Sequence, residues 1–275
     1  MTTETVEYDV ARIRADLYTD GITALRGAFT RAWIDDMRSD IQAAFEEAVS
    51  REGGAVGRGP NRYYVEIHPE QFRGFVDLVG HPWVVTVCRE ILGPEYRIVE
   101  LGFDIPFPGA RNQPWHRDFP SPVETYRDRR LTSLAFNLTA VDTVPEMGPF
   151  EIAVGTQWED GRDFAHEMFP DESTWNRYAD RAVAKLPMRG DISVRSALTI
   201  HRGTANLSQS SRPVLVLGVD GPGAGHDALH DPQVTAEYHR VLPEEVRRHL
   251  HCRVVEVLEP VVQKHTIEGL VMGAP

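Results

Sequence analysis

Apolar positions in the first third of the chain recur at helical spacing. Thr30 is a good N-cap, and Ile34, Met37, Ile41, Phe45 and Val49 follow it every three or four residues; Asp35 and Asp36 are expected in the positive first turn of that helix. The apolar stripe should lie against a sheet. Between Arg51 and Asn61 the chain carries Gly53, Gly54, Gly57, Gly59 and Pro60, which predicts a mobile loop. Helical spacing resumes from about Gln71 to Leu92, split by Gly80 and by Pro82, with the proline opening the second piece.

From Tyr96 the pattern shortens to apolar-rich runs of strand length, bounded by Pro, Gly and Asp. Arg97 to Phe103, Leu131 to Leu138, Phe150 to Val154, Ala182 to Met188, Ile192 to Ile200 and Pro213 to Val219 read as strands. Most have no helix between them, so the expectation is an antiparallel sandwich or jelly roll buttressed by helices, not βαβ units. From Leu242 onward helix returns, with Pro243, Glu244 and Glu245 opening it and Val246 and Leu250 as its apolar positions. With no repeat or long linker, one domain over 1–275 is expected. It has a helical part at about 1–95, a jelly-roll core at about 96–220 and a helical part at about 221–275.

Composition narrows the partners. The chain has 275 residues, 41% of them hydrophobic and 25% charged, as in ordinary globular domains. Its formal net charge of -12 argues against nucleic acid and anionic lipid, whose binding depends on clustered positive charge. No apolar run approaches the roughly 18 residues of a membrane span. The opening stretch MTTETVEYDVARIRAD is acidic and polar, unlike a secretory signal, so a cytoplasmic location is expected. Cys88 and Cys252 are the only cysteines and form no CxxC, which leaves neither a disulfide framework nor a thiolate zinc site.

The candidate chemistry begins in QPWHRDFP. His116 and Asp118 are two apart, and in an extended strand such residues project from one face and can share a metal ion. In a chain of this composition that spacing arises by chance about once, so it carries little alone. A third ligand candidate, His201, ends the run GDISVRSALTIH. Two imidazoles and one carboxylate leave adjacent metal positions open, the arrangement of non-haem Fe(II) oxygenases. Arg212, eleven residues on, offers a planar pair of donors that matches the far carboxylate of a 2-oxo acid.

Over most of its length the sequence resembles the phytanoyl-CoA dioxygenase family of Fe(II)/2-oxoglutarate-dependent oxygenases. The resemblance lies in WHRD at Trp115 to Asp118, in MGPFEIAVGTQ at Met147 to Gln157, in Gly190-Asp191 before the distal histidine, in Asn206 and Ser208, and in the spacing of His201 and Arg212. It implies a double-stranded β-helix, a cupin-like jelly roll, in which His116, Asp118 and His201 bind iron and carry catalysis. By the same resemblance Arg212 binds the distal carboxylate of 2-oxoglutarate. The implied reaction uses Fe(II), 2-oxoglutarate and O₂, releases succinate and CO₂, and by default hydroxylates a small-molecule substrate. Desaturation, ring closure and epoxidation are decided by substrate pose. Asp118 itself argues against halogenation, since related halogenases put a small residue there.

There are departures. Gly203 stands where many members have a serine that assists the cosubstrate, and the hydroxyl of Thr204 is expected to compensate. No lysine precedes WHRD where some members have one. Arg117 replaces a frequent glutamine, and Gln157 replaces a histidine. Two alternatives to the oxygenase reading remain: a jelly-roll binding protein without turnover, and a cupin-like metalloenzyme that does not use 2-oxoglutarate.

Other groups read more plainly. His226 and His230 are four apart but lack a third ligand, which favours a solvated face. His249 and His251 flank a helix end, where histidine complements the dipole. Arg127, Arg129 and Arg130 suit a salt-bridged edge better than a substrate contact. Trp115, Phe119 and Tyr126 suit core and pocket equally. The glycine-rich loop at Arg51 to Asn61 is a candidate lid.

Overall fold

A computed structural model describes residues 8–162, 164–166, 168–224 and 229–263. In chain order, the first part holds α1 (Val10–Thr19), β1 (Ile22–Leu25), α2 (Arg31–Val49), β2 (Val56–Gly57), β3 (Arg62–Glu66), α3 (Phe75–Val79) and α4 (Pro82–Leu92). Next come β4 (Arg97–Pro106), α5 (Val123–Asp128), β5 (Ser133–Thr139), β6 (Phe150–Ala153), β7 (Phe164–His166), β8 (Phe169–Pro170) and α6 (Trp175–Ala179). The remainder is β9 (Ala182–Lys185), β10 (Ile192–Ser196), β11 (His201–Gly203), β12 (Val214–Asp220), β13 (Gln233–Thr235), α7 (Ala236–Val241), α8 (Glu244–His249) and β14 (Arg253–Val255).

A seven-stranded sheet, ordered β1-β10-β5-β12-β4-β3-β2, is antiparallel throughout and faces a smaller antiparallel sheet, β11-β6-β9, across a cavity. Period-two alternation explains both faces of the large sheet. On β12, Leu215, Leu217 and Val219 enter the core, while Val216, Gly218 and Asp220 line the cavity; on β5, Phe136 and Leu138 enter the core, while Ala135, Asn137 and Thr139 line it. The core side is covered by α1 to α4. Ile34, Met37 and Ile41 of α2 are buried there, as the stripe requires, while Val49 at the helix end is exposed. The result is a mainly β fold with flanking helices, the double-stranded β-helix expected from the sequence.

Several local expectations hold. The Thr30 hydroxyl accepts a hydrogen bond from the Trp33 amide at 3.2 Å, and Pro82 opens α4. Others are corrected. The first turn of α2 carries no acid; Asp35 and Asp36 lie a turn further in and face Arg189 and Arg73. The helix foreseen from Gln71 starts at Phe75, after a short 3-10 turn at Pro69–Gln71.

The first 95 residues are not purely helical, since β1, β2 and β3 extend the large sheet on both edges. The stretch Arg51 to Asn61 contains β2, and the Gly53 carbonyl accepts a hydrogen bond from the Gln263 amide. The run from Ile192 to Ile200 is not one strand. Ser196 turns the chain: its carbonyl accepts from the Thr199 amide and its hydroxyl from the Leu198 amide, local bonds that compete with the ladder. The chain thereby leaves the large sheet at Ser196 and joins the small one at His201.

Phe136 is fully buried between the sheet and Trp83, their rings set edge to face at 6.1 Å between centroids. Truncation there leaves a cavity in a close-packed layer, so Phe136→Ala should cost about 3–5 kcal/mol in denaturant unfolding.

Candidate metal centre

The centre is built on backbone pairing. The segment Gln113 to Asp118 has no regular ladder, yet it is tied to the crossing 197–203 at Gln113, His116 and Asp118. The Gln113 amide donates to the Gly203 carbonyl (2.8 Å), and the Asp118 amide to the Ala197 carbonyl (3.0 Å). Between them His116 and His201 exchange both bonds, at 3.0 and 2.8 Å, as an antiparallel hydrogen-bonded pair. Such a pair sends both side chains to the same side of the ladder. Their rings lie 4.3 Å apart, and Asp118 Oδ1 is 3.3 Å from His201 Nε2. One ligand atom from each of the three residues lies within 4.8 Å of the others.

The imidazoles are already in the right form to coordinate. His116 Nδ1 is 2.8 Å from the Pro114 carbonyl, and His201 Nδ1 is 2.8 Å from the Thr199 carbonyl. A carbonyl only accepts, so each Nδ1 carries the proton and each Nε2 presents a lone pair. Burial, reinforced by His201, holds the His116 pKa well below the ordinary value; burial and then Arg195 lower that of His201. Burial raises the Asp118 pKa, but Arg195 and the two histidines outweigh it and hold the carboxyl well below the usual carboxylate range. The trio therefore combines two neutral imidazoles with one carboxylate.

These residues line a cavity of about 330 Å³ between the sheets. Arg212 lines it too. Its amide donates to the Pro106 carbonyl, its Nε to the carbonyls of Met147 and Gly148, and burial together with Arg62 lowers its pKa to about 10. Asn206 fixes the loop before it, donating to the carbonyls of Pro106 and Ser210 and accepting from Ser208. Asp191 accepts from the amides of Gly27 and Met188 and so shapes the turn into β10.

One expectation is corrected. The Thr204 hydroxyl donates to the Pro149 carbonyl at 2.7 Å, and Thr204 is not among the residues lining the cavity. In its place β3 supplies Arg62, which is 1% exposed and whose Nη2 donates to the Thr204 carbonyl while Nε and Nη1 have no hydrogen-bond partner. Asp104 is its ion-pair neighbour at 3.6 Å. Gly203 is the reason it fits: a Cβ there would stand 1.9 Å from Arg62 Nη1. The missing side chain at 203 was legible in the sequence, but its link to a residue 141 positions earlier was not.

The remaining candidates divide. Arg117, between two ligand candidates, points the other way, donates to the Glu159 carbonyl and lies over the Phe164 ring. Gln157 donates to the carbonyls of Leu17 and Tyr18 and ties α1 down. Phe119 lines the cavity, whereas Trp115 is buried in a small cluster with Tyr178 and Ile200. Tyr126 is half-buried and does not line the cavity. Arg127 pairs with Asp128, Arg129 lies over the Trp158 ring and Arg130 donates to the Pro222 carbonyl, an exposed edge. His249 stacks on Tyr96 and bonds its carbonyl, a structural role.

His226 lies outside the described residues. His230 is not on a solvated face: it lines the cavity with Nδ1 3.2 Å from Glu66. Burial opposes its protonation, but Glu100, Glu66 and Asp220 outweigh it and raise the pKa to about 9.

The sheet order, the facing sheets and the enclosed two-histidine, one-carboxylate cluster define a double-stranded β-helix protein with a candidate metal centre in its cavity. The chain belongs to the phytanoyl-CoA dioxygenase (PhyH) family, whose model matches residues 17–214. Solved structures share the fold. EctD from S. alaskensis, crystallised with 2-oxoglutarate and 5-hydroxyectoine, is 18% identical with a TM-score of 0.62, over 80% of this chain and 79% of its own. The epimerase SnoN, in complex with Fe3+, alpha ketoglutarate and nogalamycin RO, is 17% identical with a TM-score of 0.60, over 78% and 91%. HygX from Streptomyces hygroscopicus, with nickel and 2-oxoglutarate bound, is 14% identical with a TM-score of 0.59, over 84% and 91%. Among the described residues no helix is long and apolar enough to cross a membrane.

The raised pKa of His230 fixes the sign of a pH effect. Protonated His230 stabilises the fold fully below the ordinary histidine value of about 6.5, and the contribution falls as pH rises through about 9. Thermal unfolding between pH 6 and 9.5 should lose about 2–3 kcal/mol from this source, and His230→Gln should flatten that part of the profile.

Proposed function

We propose that the protein is an Fe(II)/2-oxoglutarate-dependent dioxygenase that hydroxylates a small molecule, with His116, Asp118 and His201 as iron ligands. The observation that carries this reading is the reciprocal backbone pair of His116 and His201, which turns two Nε2 lone pairs and the Asp118 carboxylate into one cavity. Two imidazoles and a carboxylate on one side of an ion suit ferrous iron and leave positions for a chelating 2-oxo acid and O₂. When bound, iron would supply the oxidative decarboxylation of 2-oxoglutarate to succinate and CO₂ that drives oxidation of the substrate.

The chain's own residues supply position and charge. The Pro114 and Thr199 carbonyls fix the ring tautomers and orientations. Arg212 and Arg62, two buried guanidinium groups in one cavity, suit the distal carboxylate of 2-oxoglutarate, since Arg62 Nε has no hydrogen-bond partner and Nη1 has only the Asp104 carboxylate at 3.6 Å, too far for a hydrogen bond. Arg62 would thus do what the sequence had led us to expect of Thr204. Phe119, Met168 and Phe150 give the cavity apolar wall, which limits water around the reacting centre. The substrate is a small molecule that fits this volume, and hydroxylation is the default outcome.

Protein reconstituted anaerobically with Fe(II), then given 2-oxoglutarate, oxygen and a substrate panel, should form succinate, and His116→Ala should form none. Full iron-dependent turnover by that variant would refute the ligand assignment, and a wild type that consumes no 2-oxoglutarate would favour the binding-protein alternative. Arg212→Ala and Gly203→Ser, the latter by displacing Arg62, should each raise the KM for 2-oxoglutarate at least about tenfold, in line with the loss of a charge-assisted bond. Thr204→Val should leave that KM within about twofold, because its hydroxyl bonds a carbonyl outside the cavity. Metal-dependent turnover that proceeds without 2-oxoglutarate and is left intact by Arg212→Ala would point to the cupin-like alternative.

A further inference from the structure

We infer that Arg195 makes metal binding and 2-oxo acid binding interdependent in this cavity, as a positioning residue that switches between Asp118 and the incoming anion. The inference rests on the iron-site reading above. Arg195 projects from β10 into the cavity and is 5% exposed. Its Nη1 is 2.9 Å from Asp118 Oδ2, and its Nη2 is 3.2 Å from Asp118 Oδ1 and 3.3 Å from His201 Nε2. The guanidinium therefore holds both carboxylate oxygens and the ring nitrogen that iron would use.

That ring nitrogen has one lone pair, and a guanidinium has only donors to offer it. Arg195 and a divalent ion cannot both take the lone pair, and as like charges a few ångströms apart in a buried site they repel. Entry of the ion requires Arg195 to let go. Its surroundings then offer no replacement among the cations nearest it. Lys185 and Arg195 both lie against the Phe150 ring, at 4.6 and 5.3 Å, and Lys185 has its pKa lowered to about 7 by burial, Arg195 and Arg212. Arg195 Nε has no hydrogen-bond partner. A carboxylate of the 2-oxo acid entering this positive region would satisfy the released guanidinium. Ion and dianion each favour the arrangement in which Arg195 has left Asp118, and two ligands that favour one arrangement strengthen each other's binding by the same factor.

The test is Mn(II) affinity measured by electron paramagnetic resonance of the free ion, without oxygen, in the absence and presence of saturating 2-oxoglutarate. In the wild type Mn(II) alone should bind weakly and 2-oxoglutarate should tighten it strongly. Arg195→Gln should bind Mn(II) alone at least about tenfold more tightly than wild type, and its gain from 2-oxoglutarate should shrink by a similar factor. Arg195→Lys, which keeps the charge, should stay nearer the wild type on both measures, and Arg195→Met replaces the glutamine variant if that one fails to fold. Unchanged or weaker Mn(II) binding in the neutral variant, or an undiminished gain from 2-oxoglutarate, overturns the inference and makes Arg195 a fixed support for Asp118. If Asp118→Ala binds Mn(II) as the wild type does, the iron-site reading fails instead, which keeps the two failures apart.

Discussion

Two peptide groups, those of His116 and His201, each donate to and accept from the other, and the cavity's chemistry depends on that exchange. It joins a segment with no regular strand of its own to the chain just after it crosses between the sheets. Because a hydrogen-bonded antiparallel pair fixes which side its side chains take, the two rings need no further device to meet. Asp118, bonded through its amide to Ala197, joins them from the same segment.

The large sheet makes this arrangement stable. Its core face is continuous with four helices and carries the apolar burial, which leaves its other face free to be polar. Arg62, Glu100, Asp104, Arg195 and Asp220 stand on that inner face, a density of charge that would destabilise a core. Several of these groups are paired in place, as Arg62 with Asp104 and Arg195 with Asp118, but donors on both arginines remain without an acceptor. These donors belong to residues on two different strands, β3 and β10, that both line the cavity.

The cavity wall carries charge of both signs. Arg62, Arg212 and Arg195 outnumber the acids Asp104 and Asp118 with which they are grouped, while Glu100 and Asp220 line the cavity beside the protonated His230, which is bonded to Glu66. A dianionic cosubstrate suits the three arginines. His230 owes its protonation to that acidic company.

Residue order alone pointed to the fold class, the helix capped by Thr30, most of the strands from Tyr96 onward and the four residues His116, Asp118, His201 and Arg212 that the fold brings to one cavity, because each of these leaves a local trace: a period, a cap or a short motif with its spacing. It could not determine that Ser196 turns the chain, since apolar residues recur in the same phase on both sides of it, at Ile192, Val194, Leu198 and Ile200, and one serine in such a run is compatible with a continuous strand. Nor could it reveal that Gly203 is the space occupied by Arg62, that Thr204 faces a carbonyl, or that Arg195 rests on Asp118 and His201. Those are contacts between residues distant in sequence, or between strands in different sheets, and a hydrogen bond or a steric clash of that kind exists only once the two sheets have closed on each other.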